Sequence, residues 1–250
     1  MIFAERLDWQ VATAAKFCRE TQGVVTIAFE VPEWHGHLAG QHVDVRLTAE
    51  NGYQAQRSYS LASPAGNAAE IELTIERIKE GEVSSFLTEE LAIGDDIELR
   101  GPIGGYFTWD RQSSSPLMLI AGGSGVVPLM SMLRTRYKVG GKAPARLLYS
   151  SRTAEDIIYA AELDRLAANG DGLSLIHTLT RGAPSGWQGE RRRVDKQMLA
   201  THAFQSSEQP QVFVCGPTLF VETVADQLIS LGHAESAIKT ERFGPTGDKR

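Results

Sequence analysis

Residues 117–128 read LMLIAGGSGVVP. Four apolar residues enter a turn with three glycines in four positions, and a helical pattern, VPLMSMLRTRY (127–137), follows. A short apolar run bounded by glycine reads as a buried strand, after which the period changes to that of a helix. The alternation continues with ARLLYSS (145–151) as strand and AEDIIYAAELDRLAA (154–168) as helix. LSLIHTLT (173–180) and QVFVCG (211–216) follow as strands, then TLFVETVADQLISLG (218–232) as helix. Repeated βα units imply a parallel sheet packed on helices. Thr153, with Asp156 three residues on, is a capping-box-like helix start.

Before this half the period is different. VATAAKF (11–17), VVTIAFEV (24–31), HVDVRLT (42–48), RSYSLAS (57–63), EIELTIERI (70–78) and DDIELRG (95–101) are short and rich in β-branched residues, and Ile71, Leu73 and Ile75 alternate with polar neighbours. Turn signals at Gly23, Gly36, Asn51-Gly52, Pro64-Ala65-Gly66 and Gly94-Asp95 separate them at roughly ten-residue spacing, the pattern of a closed antiparallel barrel or sandwich. One helical insertion is expected over 83–91. The polar segment RQSSSP (111–116) reads as the linker. The expected fold is therefore an antiparallel β barrel (1–110), then an α/β parallel-sheet domain (111–236), then a C-terminal strand and tail (237–250).

Bulk properties narrow the function. In 250 residues, 42% hydrophobic and 22% charged is ordinary globular composition, and a net charge of −6 argues against a nucleic-acid binder. The first ten residues lack the apolar stretch of a secretory signal, and the apolar run 116–130 is broken by glycines and too short for a membrane helix, so no membrane association is expected. The two cysteines, Cys18 and Cys215, cannot hold a four-thiolate iron–sulfur cluster and fit a reduced, cytoplasmic protein.

Four constellations carry candidate chemistry. Arg57-Ser58-Tyr59-Ser60 joins a guanidinium suited to pyrophosphate with a ring suited to stacking on a planar heterocycle. On composition alone it reads equally as an edge strand with a solvated arginine and a half-buried tyrosine. Gly81-Glu82-Val83-Ser84-Ser85 is a glycine turn entering a helix, where backbone N–H groups meet phosphate, although an ordinary capped helix has the same look. Gly122-Gly123-Ser124-Gly125 is placed like a dinucleotide fingerprint, with Pro128 at the third glycine's position. Cys215-Gly216-Pro217 ends a strand where α/β sheets bind ligands, and it also suits a buried core cysteine. His35, His37 and His42 lack companion carboxylates or thiols, so no metal site is expected, and Trp34 and Trp109 read as packing residues.

Taken in order, RSYS, GEVSS, GPIGGYF (101–107), AGGSGVVPLMSML (121–133) and VCGP (214–217) resemble the landmarks of the ferredoxin–NADP reductase superfamily over about residues 10–243. The resemblance implies FAD in the barrel and NAD(P)H on the sheet. It implies that Arg57 meets the FAD pyrophosphate, that Tyr59 stacks on the isoalloxazine with Ser58 beside it, and that Ser60 lies near flavin N5. It further implies that Thr74, Ile75 and Glu76 line the flavin through backbone contacts, and that Gly81, Glu82, Val83 and Ser84 cradle its pyrophosphate. Gly123 and Ser124 would meet the nucleotide pyrophosphate, and Cys215, Gly216 and Pro217 the nicotinamide. Glu241 would sit near the flavin edge and Phe243 would cover its far face, with the tail from Pro245 folding back over FAD or fraying.

Basic and hydroxyl side chains at successive strand ends, Ser151, Arg152, Thr180, Arg181 and then Arg191, favour the 2′-phosphate of NADPH, with NADH the alternative. The implied activity is hydride transfer from NAD(P)H to FAD, then release of single electrons to a separate ferredoxin, flavodoxin or oxygenase component. The alternatives are a free-flavin reductase and a flavin- or nucleotide-binding electron-transfer subunit without turnover of its own.

Overall fold

The computed structural model describes residues 7–244. The first half forms β1 (Gln10–Thr21), β2 (Val24–Glu30), β3 (His42–Thr48), β4 (Gln54–Ser60), β5 (Glu70–Glu76) and β6 (Asp96–Ile103). All neighbouring pairs are antiparallel, in the order β4-β3-β6-β1-β2-β5, and a bridge between Leu61 and Leu73 joins the two ends of the sheet. The alternating residues Val25, Ile27, Phe29, Val43, Val45, Ile71, Leu73, Ile75, Ile97 and Leu99 fill its interior. The expected helical insertion is present as one α-turn, α1 (Glu82–Ser85), continued by a π-turn over Phe86–Glu90 that buries Leu87.

The second half forms β7 (Leu117–Gly122), α2 (Val126–Lys138), β8 (Ala145–Ser151), α3 (Ala160–Ala167), β9 (Leu173–Leu179), α4 (Lys196–His202), β10 (Gln211–Pro217), α5 (Thr218–Ser230) and β11 (Ile238–Phe243). Its sheet is parallel throughout, ordered β11-β10-β7-β8-β9. All six residues of β7 are buried: Leu117, Leu119 and Ala121 face one core, and Met118 and Ile120 face the other. That continuous burial is what a strand covered by helices on both sides requires. Pro128 falls in the first turn of α2, where a missing N–H costs no helical bond.

Two local expectations are corrected. The helix over 154–168 is broken: a short 3-10 turn at Ala154–Asp156, closed by the Thr153–Asp156 capping box, ends at Ile157, which is extended. Tyr159 then takes φ 62°, and α3 begins only at Ala160. The periodicity is real, but the barrel lies against this segment, where the Tyr159 hydroxyl bonds Thr74 of β5. A helix was also absent from the sequence reading at 196–202, where Asp195 caps α4 by accepting from the Met198 N–H at 2.8 Å and Met198 and Leu199 are buried.

The two halves share one interface. β2 is buried on both faces from Val24 to Phe29, because Val24 joins the core of the second half while Val25, Ile27 and Phe29 point into the barrel. On α2, Ser131 Oγ donates to the Ser63 carbonyl at 2.7 Å and Thr135 Oγ1 accepts from the Ala65 N–H at 2.8 Å.

Candidate active site

β4 pairs with β3 so that Tyr59 lies opposite Val43 and Ser58 opposite Asp44. Ser58 Oγ donates to Asp44 Oδ1 at 2.6 Å, and Arg100 Nη2 donates to Asp44 Oδ2 at 2.6 Å. Burial pushes the Asp44 carboxyl up, but the two donors outweigh it and hold it below its ordinary value. Arg57 stays exposed, and its guanidinium meets only the Gln56 carbonyl at 2.6 Å and no carboxylate among the described residues. Tyr59 is half-buried against the barrel core, and burial pushes its phenol up to about 12, so the ring stays neutral. Ser60 is 4% exposed and its buried Oγ has no hydrogen-bond partner among the described residues. A buried unsatisfied hydroxyl is uncommon.

At the start of α1, Gly81 lies close against its own turn: a Cβ there would sit 2.6 Å from Ser84 Oγ and 3.1 Å from the Ile78 carbonyl oxygen. Ser84 Oγ accepts from the Ile78 N–H at 3.1 Å and also lies 3.4 Å from the Gly81 carbonyl. The serine hydroxyl expected as a phosphate donor is thus committed within its own turn, which leaves the backbone N–H groups of this short helix for that role. Glu82 accepts from the Tyr53 hydroxyl at 3.0 Å. The side chains of Thr74 and Ile75 point to opposite faces of β5: Ile75 is in the barrel core, Thr74 faces the second half, and Glu76 is exposed.

On the parallel sheet, glycines let the strand tips touch. A Cβ on Gly125 would lie 2.2 Å from the Cys215 carbonyl oxygen, so this turn packs directly on the end of β10. Gly123 has φ 56° with open space where a side chain would stand, which leaves this turn free to receive a pyrophosphate. Cys215 is fully buried, and burial, with Glu241 second, pushes its thiol well above the ordinary value. Register places Cys215 beside Glu241 of β11. Burial alone pushes the Glu241 carboxyl up to about 7, and its Oε2 has no partner among the described residues. Phe243, on β11, is partly buried and packs against the large apolar cluster that also contains Cys215. The residues from Pro245 on lie outside the described residues.

Farther along the sheet edge, Thr180 donates through its N–H and Oγ1 to the Ser151 carbonyl at 3.0 and 3.2 Å, and the Arg181 N–H reaches the Arg152 carbonyl at 2.8 Å. Both arginines are exposed without a carboxylate partner among the described residues, and the buried Ser151 Oγ is unpartnered there. Arg191 opens a run of three arginines, Arg191-Arg192-Arg193, whose members differ. Arg192 lies 3.6 Å from Glu190 and 3.5 Å from Asp195, and Arg191 Nη2 reaches the Trp187 carbonyl at 3.0 Å. The histidines are not gathered: His37 is held between Trp34 Nε1 and the Ser63 carbonyl, and among the described residues no three His, Cys, Asp or Glu side chains group as a metal would need. Trp34 and Trp109 are buried packing residues.

The sequence reading missed the polar residues of α2 that join the halves, Ser131, Arg134 and Thr135. Their signal was present, since a helix whose apolar face carries Ser, Arg and Thr must satisfy them against something.

A barrel with a free arginine on β4, followed by a parallel sheet whose glycine turn meets a buried cysteine, defines a flavin- and pyridine-nucleotide-binding oxidoreductase. Residues 12–108 match the oxidoreductase FAD-binding domain family and residues 119–226 the oxidoreductase NAD-binding domain family. The chain is 34% identical over 210 residues to ferredoxin–NADP reductase B of Sorangium cellulosum, covering 82% of this chain and 84% of that one. It is 32% identical over 235 residues to the glycine betaine monooxygenase reductase subunit of Chromohalobacter salexigens, covering 92% of this chain but only 63% of that longer protein. The FAD/NAD-binding domain of nitric oxide dioxygenase from Vibrio cholerae shares the fold with a TM-score of 0.84 at 23% identity, over 94% of this chain and 99% of that one. The protein belongs to the ferredoxin reductase-like family of FAD- and NAD-binding oxidoreductases.

Proposed function

We propose that the protein is an FAD-dependent NAD(P)H oxidoreductase that delivers electrons to a separate acceptor. The observation that carries this reading is the pair at the strand tips, Cys215 beside Glu241, a half-buried residue whose buried Oε2 has no partner among the described residues. FAD would accept two electrons as hydride from NAD(P)H and pass them on singly, which is chemistry the cofactor supplies. The residues bind and orient. Arg57 neutralises pyrophosphate charge, and Tyr59 offers an uncharged ring for stacking. Ser60 Oγ is placed to satisfy a flavin ring atom, and Gly123 and Ser124 offer a turn for the nucleotide pyrophosphate. The small Cys215 leaves room for the nicotinamide, and Glu241, with a pKa of about 7, can hold or release a proton near neutrality.

Arg152 and Arg181, free of carboxylates, support a preference for NADPH. A ferredoxin, flavodoxin or oxygenase component is the acceptor class, in line with relatives that are a ferredoxin–NADP reductase and a monooxygenase reductase subunit. No helix among the described residues is long and apolar enough to cross a membrane.

Anaerobic titration of the purified yellow protein with NADPH and with NADH tests the reading. The flavin absorbance should bleach, at lower NADPH than NADH. Failure to bleach with either nucleotide rejects the oxidoreductase assignment. Loss of FAD on gel filtration, with activity on added free flavin, would replace it by a flavin reductase.

A further inference from the structure

We propose that Tyr159 is a positioning residue, tied by its hydroxyl to the barrel wall so that the nucleotide-binding loop is held in register with the flavin. The inference rests on the oxidoreductase reading above. Tyr159 OH donates to Thr74 Oγ1 on β5. Thr74 Oγ1 and Thr26 Oγ1 on β2 are 2.8 Å apart, and Thr26 Oγ1 donates to Glu20 Oε1 at 2.7 Å. Each hydroxyl has one proton, so the order is forced: Tyr159 to Thr74, Thr74 to Thr26, Thr26 to the Glu20 carboxylate. Burial pushes the Tyr159 phenol up, which keeps the donor at the head of this relay protonated.

Three features separate this contact from ordinary packing. Thr26 and Thr74 are 6% and 5% exposed, on the outer face of a barrel where alternation calls for solvent, and a valine at either position would suit a dry interface better. Tyr159 has φ 62°, a left-handed conformation that a bulky residue adopts only when its surroundings impose it. Arg134 of α2 lies 5.1 Å over the Tyr159 ring while bonding Glu72 Oε2 at 2.6 Å, the Ala62 carbonyl at 2.9 Å and Glu162 Oε2 at 2.7 Å. Arg134 thereby grips β5, the chain beyond Ser60 and the start of α3 together.

The position gives the relay a task. Tyr159 closes the loop that opens with Ser151 and Arg152, the nucleotide edge. Thr74 stands beside Ile75 and Glu76, the stretch assigned to the flavin. A directional bond between these two segments fixes how far one cofactor's seat lies from the other, whereas apolar contact would permit sliding. Displacement of a reacting pair by about 1 Å can cost a hundredfold in rate.

The test compares wild type with Tyr159→Phe and Thr74→Val as FAD-loaded proteins. Tyr159→Phe should keep FAD content and NADPH affinity within about twofold, while the rate of flavin reduction by saturating NADPH falls on the order of tenfold. The visible difference spectrum on adding NADP+, which reports contact of the two rings, should shrink. Thr74→Val should reproduce both losses, and the double variant should be no slower than either single one. An unchanged reduction rate and difference spectrum in Tyr159→Phe overturns the positioning role. So does a rate loss that merely tracks lost FAD, or additive losses in the double variant. If wild type itself is not bleached, the oxidoreductase reading falls and this inference with it. A bleached wild type and an unaffected variant overturn the inference alone.

Discussion

Replacing Glu241 by glutamine should change the pH dependence of stability by an amount the structure sets. Glu241 is half-buried, its Oε2 is buried without a partner among the described residues, and desolvation raises its pKa from 4.5 to about 7. A group whose folded pKa is raised contributes fully below its unfolded pKa, and that contribution is lost as pH rises through the folded pKa. Here the window runs from 4.5 to about 7. At about 1.36 kcal/mol per pH unit, the full loss is roughly 3 kcal/mol. Glutamine keeps the shape and cannot ionise. Urea unfolding of the FAD-free protein should therefore find Glu241→Gln and wild type about equal near pH 4, with the variant more stable by about 3 kcal/mol at pH 8. Asp44, Glu98 and Asp171, whose pKa values are lowered, lose stability as pH falls in both proteins and so cancel in the difference. A stability difference that stays flat from pH 4 to pH 8 would refute the claim that Glu241 is held near neutral by burial.

Other substitutions separate the seats of the two cofactors. Arg57→Ala should reduce FAD retained on gel filtration, a loss of about 1.5–3 kcal/mol for charge-assisted bonds, with unfolding of the second half unchanged; full FAD content would contradict the pyrophosphate assignment. Gly125→Ala must push a Cβ from 2.2 Å off the Cys215 carbonyl, and should lower the thermal midpoint and abolish nucleotide-dependent bleaching while the barrel keeps FAD. Arg152→Ala with Arg181→Ala should raise KM for NADPH about tenfold or more and leave KM for NADH nearly unchanged, as steady-state kinetics would report. Arg136→Met removes a 2%-exposed guanidinium bound to Asp171 at 2.8 Å and to the Ala143 carbonyl, and should destabilise by about 3–5 kcal/mol in urea by stranding those acceptors, without altering nucleotide preference.

The sequence was most readable where one face of an element decides its burial. Ile71, Leu73 and Ile75 alternate because the barrel interior lies on one side, and Leu117 to Ile120 run apolar because helices cover both sides of β7. The glycine turn and the cysteine strand end were legible because a close approach demands a glycine: a Cβ on Gly125 would lie 2.2 Å from the Cys215 carbonyl oxygen. The break at Ile157–Tyr159 was not legible, since AEDIIYAAEL has sound helical spacing and the partner that Tyr159 meets, Thr74, lies across the interface. Nor was the state of individual polar groups. Ser84 was read as part of a phosphate cradle, yet its hydroxyl is bonded within its own turn, and Arg191, grouped with Arg152 and Arg181 as a candidate phosphate contact, bonds the Trp187 carbonyl.

The sequence by itself thus determined the order and the class of the two halves, because periodicity and glycine placement are local consequences of backbone geometry, while the cofactor each half is built for came from the resemblance of its motifs to a known family. Tertiary structure alone decided which charges are free, which hydroxyls lack partners and how the halves are joined. Those properties depend on distance and dielectric between residues far apart in the chain, as with Glu241 beside Cys215 or Tyr159 on Thr74.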